Sequence, residues 1–179
     1  MLDDMTNLQS LLKDPSLLAT QGYLAGEWVD GEGGATFPVR NPARGDVVAN
    51  VADFTRAQTA DAIAKAEIAQ KSWAARTGKE RANILRRWYD LMMENADDLA
   101  TILTAEQGKP LAESKGEIGY GASFIEFFAE EAKRIYGETI PGHQPDKRIT
   151  VIKQPIGVAA SITPWNFPNA MITRKAAPA

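Results

Sequence analysis

The chain has 179 residues, of which 44% are hydrophobic and 24% are charged, with a formal net charge of -3 at pH 7. This composition is typical of a globular protein with one sizeable core, or one and a half small domains, and excludes a disordered or fibrous chain. The mild charge excludes a basic surface for nucleic acid, and no apolar run reaches membrane-spanning length. The absence of cysteine excludes disulfides, a cysteine metal site and thiol catalysis by this chain. Because Met1-Leu-Asp-Asp lacks the positive start of a secretory signal, the cytoplasm is the expected location.

The first fifty residues predict a short helix followed by two β-hairpins. Leu8, Leu11 and Leu12 have helical spacing, which Asp14-Pro15 ends, and we expect this helix to dock onto the rest of the chain. The hairpins are predicted to pair 22–24 with 27–29 and 37–40 with 47–51.

Four helices are predicted next. Capping boxes start the first two, one formed by Thr55 with Gln58 and the other by Thr77 with Glu80. The third is predicted to begin at Asp97 and to end at Gly108. The expected apolar stripes are Ile63, Ala66, Gln70 and Trp73 on the first helix, and Ile84, Leu85, Trp88, Leu91 and Met92 on the second.

The fourth helix is predicted to run from Leu111 toward Tyr136, and three glycines interrupt it. Gly116, Gly119 and Gly121 each cost a helix about 1 kcal/mol relative to Ala. A glycine has no Cβ to hold a neighbour away, so we expect close approach of another backbone at these positions, through packing and not ligand contact.

A loop is predicted over residues 137–146, and it contains His143, the only histidine. No second ligand-type residue stands at metal spacing beside it, so we expect a solvated histidine and no metal site. Residues 148–153 alternate polar and apolar side chains, which predicts a strand with one face in water.

The last stretch predicts a strand, a turn and a helix. Residues 158–162 form an apolar run without alternation, typical of a strand buried in a parallel sheet, and Pro168 is suited to the first turn of a helix. In open α/β sheets such turns lie at the strand edge that binds ligands, so residues 163–167 are predicted to line a site.

Asn166 is the candidate catalytic group in that turn. Its amide N–H could stabilise the negative oxygen of a tetrahedral intermediate, an effect of about 3 kcal/mol per donor. The alternative is that Asn166 serves only as the N-cap of the following helix.

Residues 162–168, Ile-Thr-Pro-Trp-Asn-Phe-Pro, resemble the signature P-W-N-[FY]-P of the NAD(P)-dependent aldehyde dehydrogenase superfamily. Four other segments follow the order of that superfamily: Gly26-Glu-Trp28, Asn41-Pro42 with Gly45, Glu106-Gln-Gly-Lys-Pro110 and Gln154-Pro-Ile-Gly-Val158. Three more resemble its succinate-semialdehyde dehydrogenase branch: Lys133-Arg-Ile-Tyr-Gly137, Ile140-Pro-Gly142 and Ala170-Met-Ile-Thr-Arg-Lys175. Ordered motifs at family spacing carry far more weight than any one of them.

The resemblance implies an α/β fold: the N-terminal helical part of a doubly wound nucleotide-binding domain plus an oligomerisation strand. It implies an arm over 1–20, hairpins and helices of the cofactor-binding domain over 21–146, an oligomerisation strand over 147–156, and an incomplete first strand–turn–helix unit over 157–179. The cysteine nucleophile and glutamate base of the family pattern fall beyond Ala179. We therefore expect an N-terminal piece of a longer enzyme, inactive by itself and homo-oligomeric at full length.

The resemblance also implies the site residues. Asn166 is the expected oxyanion donor, Lys175 matches a lysine near the family's active site, and Arg174 and Phe167 are expected to contact the substrate. NAD or NADP is expected to lie along Ile162, Thr163, Pro164, Trp165 and Asn166. Arg174 suits a carboxylate because its guanidinium can donate two parallel hydrogen bonds, whereas the residue alone would suggest a surface arginine.

The expected activity is oxidation of succinate semialdehyde to succinate. The alternatives are another aldehyde dehydrogenase with a neutral or cationic substrate, and a non-catalytic module that retains only helix packing and the pairing strand.

Overall fold

The computed structural model describes the backbone of residues 4–179 and the side chains of residues 8–179. The first three residues of the predicted arm lie outside this range. Within it are α1 (Asp4–Leu11), β1 (Gly22–Leu24), β2 (Glu27–Val29), β3 (Thr36–Arg40), β4 (Val47–Ala52), α2 (Arg56–Ala74), α3 (Gly78–Glu94), α4 (Ala96–Gln107), α5 (Leu111–Glu131), β5 (Glu138–Pro141), β6 (Arg148–Val151) and α6 (Pro168–Ala176). No helix in the described range is long and apolar enough to cross a membrane.

The described strands form three antiparallel hairpins, β1 with β2, β3 with β4 and β5 with β6. Both hairpins predicted before residue 55 are confirmed. Ala25 and Gly26 both have positive φ, 53° and 95°, which matches a tight turn to the twist of its strands. The prediction of a loop over 137–146 is wrong for its first residues, because β5 pairs with β6 along its whole length. Pro141 disguised this strand, since proline is accepted only at strand ends and edges.

The N-terminal segment is tied to α4. Leu8 and Leu12 are buried, as expected of a docking helix. The buried carboxylate of Asp98 then accepts the backbone N–H groups of Lys13 at 3.0 Å and of Asp14 at 2.8 Å. A helix and a charged pair of hydrogen bonds therefore hold this segment in place.

Helices α3, α4 and α5 supply most of the core. Its buried members are Leu85, Met92, Ala100, Leu103, Ile118, Ala122, Ile125, Ala129 and Ala177, with Trp88 packed against them. Both predicted capping boxes are confirmed, with each reciprocal hydrogen bond present. Gly108 ends α4 at φ 80°, as predicted. The N-cap of α4 is Asn95 and not Asp97, whose side chain instead forms an ion pair with Lys115 at 2.8 Å.

Helix α2 departs from its predicted amphipathic role. It buries no residue in this structure, and Ile63 on the predicted stripe is 56% exposed. A strong capping box can start such a helix without tertiary packing, which explains why the element is correct although its buried face is not.

Helix α5 ends at Glu131, short of Tyr136, in a tighter turn with i to i−3 hydrogen bonds to Glu130 and Glu131. The expectation about its glycines holds for Gly121, where a Cβ would lie 2.3 Å from Asn169 Oδ1 on α6. It is wrong for Gly116 and Gly119, where a Cβ would meet nothing within 4 Å.

The strand predicted over residues 158–162 is not formed. Residues 152–164 have no strand assignment, and Val158 and Ile162 are 42% and 93% exposed. A parallel strand needs a neighbour to accept its ladder, and each described strand is already paired in an antiparallel hairpin. The turn and the helix that follow are both present.

Candidate active site

The free N–H groups in the first turn of α6 donate to a side chain of helix α5. Its N-cap, Phe167, has no side-chain capping bond, and Pro168 has no N–H to satisfy. The next two N–H groups, of Asn169 and Ala170, donate to Glu117 Oε1 on α5 at 2.9 Å and 3.2 Å. A carboxylate at this position also suits the positive end of the helix dipole.

Lys109 completes the contact from the loop between α4 and α5. Its ammonium forms a short ion pair with Glu117 Oε2, and the two side chains are 9% and 0% exposed. The same ammonium donates to the backbone oxygen of Asn166 at 3.3 Å and lies 3.8 Å from the centre of the Phe167 ring. One ion pair thus contacts the residues on both sides of the turn.

Asn166 lies at the exposed surface of this turn. The alternative that it is the N-cap is wrong, since Phe167 occupies that position without a side-chain capping bond. Among the described residues the Asn166 amide has no hydrogen-bond partner. Its N–H donors therefore face solvent.

Arg174 lies on α6, about 9 Å further along the helix axis from Pro168 at 1.5 Å per residue. Its guanidinium donates to the Tyr120 hydroxyl at 2.6 Å and stacks 4.7 Å from the centre of the Phe124 ring. Its Nε is buried without a partner, and no carboxylate of the described residues pairs with this guanidinium. The simple surface-arginine alternative does not describe a cation held this way against two aromatic rings.

The predicted cofactor residues form an open ledge before α6. Ile162 and Trp165 are 93% and 55% exposed, Pro164 is exposed, and Thr163 is half-buried. Phe167 is 39% exposed, and Lys175 is exposed beside Arg174.

Sequence reasoning missed two residues of this site, Lys109 and Glu117. Lys109 lies in the segment Glu106-Gln-Gly-Lys-Pro110, which by itself predicts no role for the lysine. The available signal for Glu117 is an acidic residue beside Ile118 within an apolar helix stripe. Its partners on α6 are separated from it by 52 and 53 residues, which no local pattern reveals.

The family profile described as aldehyde dehydrogenase family matches residues 28–179. The chain therefore belongs to the aldehyde dehydrogenase family. It is 64% identical over 168 residues to glutarate-semialdehyde dehydrogenase of Pseudomonas aeruginosa, covering 94% of this chain and 35% of that protein. It is 61% identical over 168 residues to succinate-semialdehyde dehydrogenase [NADP(+)] of Escherichia coli, with the same coverage of 94% and 35%.

The fold agrees with solved members of the family. The crystal structure of aldehyde dehydrogenase from Brucella melitensis biovar abortus 2308 superimposes with a TM-score of 0.92 at 59% identity, covering 93% of this chain and 35% of that one. The predicted fold class is thus confirmed. The chain spans about a third of the length of these relatives, 35% in each case.

Proposed function

We propose that this chain is the N-terminal part of a nicotinamide-dependent aldehyde dehydrogenase whose substrate carries an acid group. Succinate semialdehyde, oxidised to succinate, is the predicted substrate. The observation that carries the substrate class is Arg174, a half-buried guanidinium without a carboxylate partner in the described chain. Family membership and relatives named for glutarate and succinate semialdehydes support the same class.

Asn166 has the central chemical role in this proposal. The family pattern supplies a cysteine thiolate from sequence outside the chain, and its sulfur bonds to the aldehyde carbon. The carbonyl oxygen becomes negative, and the Asn166 amide N–H donates to it. A donor already oriented before reaction stabilises this oxygen without reorganisation, typically by about 3 kcal/mol. Loss of hydride from the carbon then leaves a thioester, which water converts to the acid.

NAD or NADP bound along residues 162–166 would accept the hydride. The chain's own contribution would be the exposed apolar side chains of Ile162, Pro164 and Trp165, which would contact the cofactor. Phe167 borders the substrate, and Lys175 is kept as a further candidate near the reacting groups.

Arg174 orients the far end of the substrate. Its stack on Phe124 and its bond to Tyr120 hold the guanidinium in place, and its terminal N–H groups would donate to the carboxylate. The length of the acid chain that fits best, four carbons or five, distinguishes succinate semialdehyde from glutarate semialdehyde. We also propose homo-oligomerisation through the predicted strand over 147–156, which contains β6, and a cytoplasmic location for the full-length enzyme.

The test is Arg174→Ala in the full-length enzyme. A hydrogen bond to a charged group contributes about 1.5 to 3 kcal/mol, so KM for succinate semialdehyde should rise about 10- to 100-fold. KM for butanal, which has no carboxylate, should change less than about twofold on the same reasoning. Steady-state kinetics with succinate semialdehyde, glutarate semialdehyde and butanal measures both effects.

Arg87→Ala is the matched control, because Arg87 is an exposed arginine on α3 paired with Glu94. It should leave KM unchanged for each aldehyde. Equal effects of Arg174→Ala on charged and uncharged aldehydes would exclude the acid-bearing substrate class. They would favour the alternative of an aldehyde dehydrogenase with a neutral or cationic substrate.

A further inference from the structure

The Lys109–Glu117 ion pair contacts the turn that contains Asn166, and the proposed mechanism gives this pair no role. Glu117 binds the two residues that follow Pro168, and Lys109 binds the backbone of Asn166 ahead of it. Burying two charges costs several kcal/mol each in desolvation, and an apolar pair of similar size is often at least as stable. Stability alone is therefore a weak explanation for charges 9% and 0% exposed at this place.

The geometry connects the ion pair to the direction of the Asn166 amide. The Asn166 carbonyl oxygen accepts from the Lys109 ammonium at 3.3 Å. The side chain leaves the same Cα and is exposed. Rotation about the N–Cα bond of Asn166 would move its carbonyl and its Cβ together, so a donor that holds the carbonyl also limits the direction of the Cα–Cβ bond from which the amide extends.

We propose that Lys109 and Glu117 are positioning residues that fix the Asn166 amide for its oxyanion contact. This inference rests on the proposed function, since it needs Asn166 to donate to the reacting oxygen. One carboxylate oxygen of Glu117 accepts the first N–H groups of α6, and the other pairs with Lys109. Lys109, held by Glu117, donates in turn to the backbone oxygen of Asn166.

The competing explanation is that the pair only docks α6 onto α5. A single substitution cannot separate the two roles, because it leaves the other charge buried and unpaired. The double variant Lys109→Met/Glu117→Gln removes both charges. The Gln amide oxygen still accepts the N–H groups of Asn169 and Ala170, and the Met side chain still packs on Phe167. The donor to the Asn166 carbonyl is lost, together with the ion pair and the contact of the Lys109 ammonium with the Phe167 ring.

The experiment measures kcat, KM and Tm in the full-length enzyme. We expect the double variant to keep a Tm close to the parent and to keep KM for aldehyde and cofactor within about twofold. We expect kcat to fall about 10- to 100-fold, as small misplacements of a catalytic group do. Lys109→Arg keeps the charge and a donor, and should retain kcat within about threefold on the same reasoning.

Asn166→Ala separates this inference from the proposed function. Removing one oxyanion donor should lower kcat about 100- to 1000-fold. Adding Lys109→Met/Glu117→Gln to Asn166→Ala should then lower kcat no further, because the pair acts through the amide that is gone. Arg86→Met/Glu126→Gln removes an exposed ion pair between α3 and α5 and serves as the control, with kcat unchanged.

Each result has one meaning. A parent-like kcat in Asn166→Ala overturns the proposed function. A slow Asn166→Ala enzyme with a parent-like double variant of equal Tm overturns the positioning role alone. A further loss of kcat when the substitutions are combined also overturns it, since the pair would then act independently of Asn166. If the double variant does not fold, Lys109→Met in the parent and in Asn166→Ala decides: no loss of kcat in the parent, or an equal loss in both backgrounds, overturns the role.

Discussion

Glu106 shows how the fold alters the chemistry of a single residue. Burial near the end of α4 raises the pKa of its carboxyl from 4.5 to about 7, and no cation opposes this in the described part of the chain. The folded state therefore retains a proton on Glu106 under conditions in which the unfolded chain has released it. Protonation of this group is thus linked to stability.

We predict that stability falls as the pH rises through this range. Because the folded pKa lies above the unfolded value, the contribution of Glu106 is complete below pH 4.5 and is lost as the pH rises to about 7. At about 1.4 kcal/mol per pKa unit, the full effect is on the order of 3 kcal/mol. Urea unfolding of the 179-residue chain at several pH values measures it.

Glu106→Gln is the control for this prediction. Glutamine has the shape of the protonated acid and does not titrate in this range. The variant should show a flatter pH profile than the parent between pH 4.5 and 7, the limits set by the two pKa values. Parallel profiles would exclude Glu106 as the source of the slope.

At the same scale, the sequence predicted residues that belong to a contiguous motif better than those joined by folding. Asn166 and Arg174 are predicted from the segment that contains them; Asn166 lies just before α6, and Arg174 lies in its last turn. Glu117 was not identified, because its role depends on hydrogen bonds to residues 169 and 170. The role of an acidic side chain in an apolar helix stripe can be assigned only when its hydrogen-bond partners are known.

Among the elements, the packing of α6 on α5 defines the candidate site. Gly121 allows this contact, since a Cβ there would meet Asn169 Oδ1 at 2.3 Å and Thr173 Oγ1 at 3.2 Å. The Asn169 oxygen is itself buried without a partner and has little space to move. Gly116, one turn earlier on α5, faces open space.

We predict opposite effects for two glycine substitutions on α5. Gly121→Ala should destabilise the chain by about 1 to 3 kcal/mol through overpacking against α6. Gly116→Ala should stabilise it by about 0.5 to 1 kcal/mol, because alanine restricts the unfolded chain and favours the helix. Chemical unfolding of the 179-residue chain, followed by circular dichroism, gives both values. Shifts of equal sign would contradict the close packing at Gly121.

The difference between local signals and contacts with distant residues explains which elements could be predicted from the sequence. Capping boxes at Thr55 and Thr77 and the turn at Ala25-Gly26 are local signals, and all three are found. The strand over 158–162 depended on neighbours in a sheet, and it is unpaired here. Strand β5 was missed because its pairing with β6 is visible only after the hairpin closes.

For the whole molecule, the exposed apolar side chains are concentrated toward the C-terminal third. Ile152, Ile156 and Ile162 are 68%, 97% and 93% exposed. Apolar surface of this extent normally marks an interaction site. Ile152 and Ile156 lie in the predicted oligomerisation strand over 147–156, and Ile162 is one of the predicted cofactor residues, so the proposed function gives this surface two uses.

We predict that the purified 179-residue chain does not reduce NAD or NADP with any aldehyde. It contains Asn166 but no cysteine, and a weak hydroxyl or amine cannot replace an activated thiolate. Absorbance of the reduced cofactor, with the full-length enzyme as positive control, measures this. Turnover by the 179-residue chain would show that the nucleophile lies within it, and would support a mechanism without cysteine.

The position of Glu117 in the chain, ahead of the helix whose first N–H groups it accepts, has a consequence for folding during synthesis. Glu117 leaves the ribosome before Pro168, so α5 can fold while the segment of α6 is still inside the exit tunnel. The later helix then emerges toward an acceptor that is already in place. Synthesis order and hydrogen bonding thus favour the same sequence of events, in which the turn before α6 forms after α5.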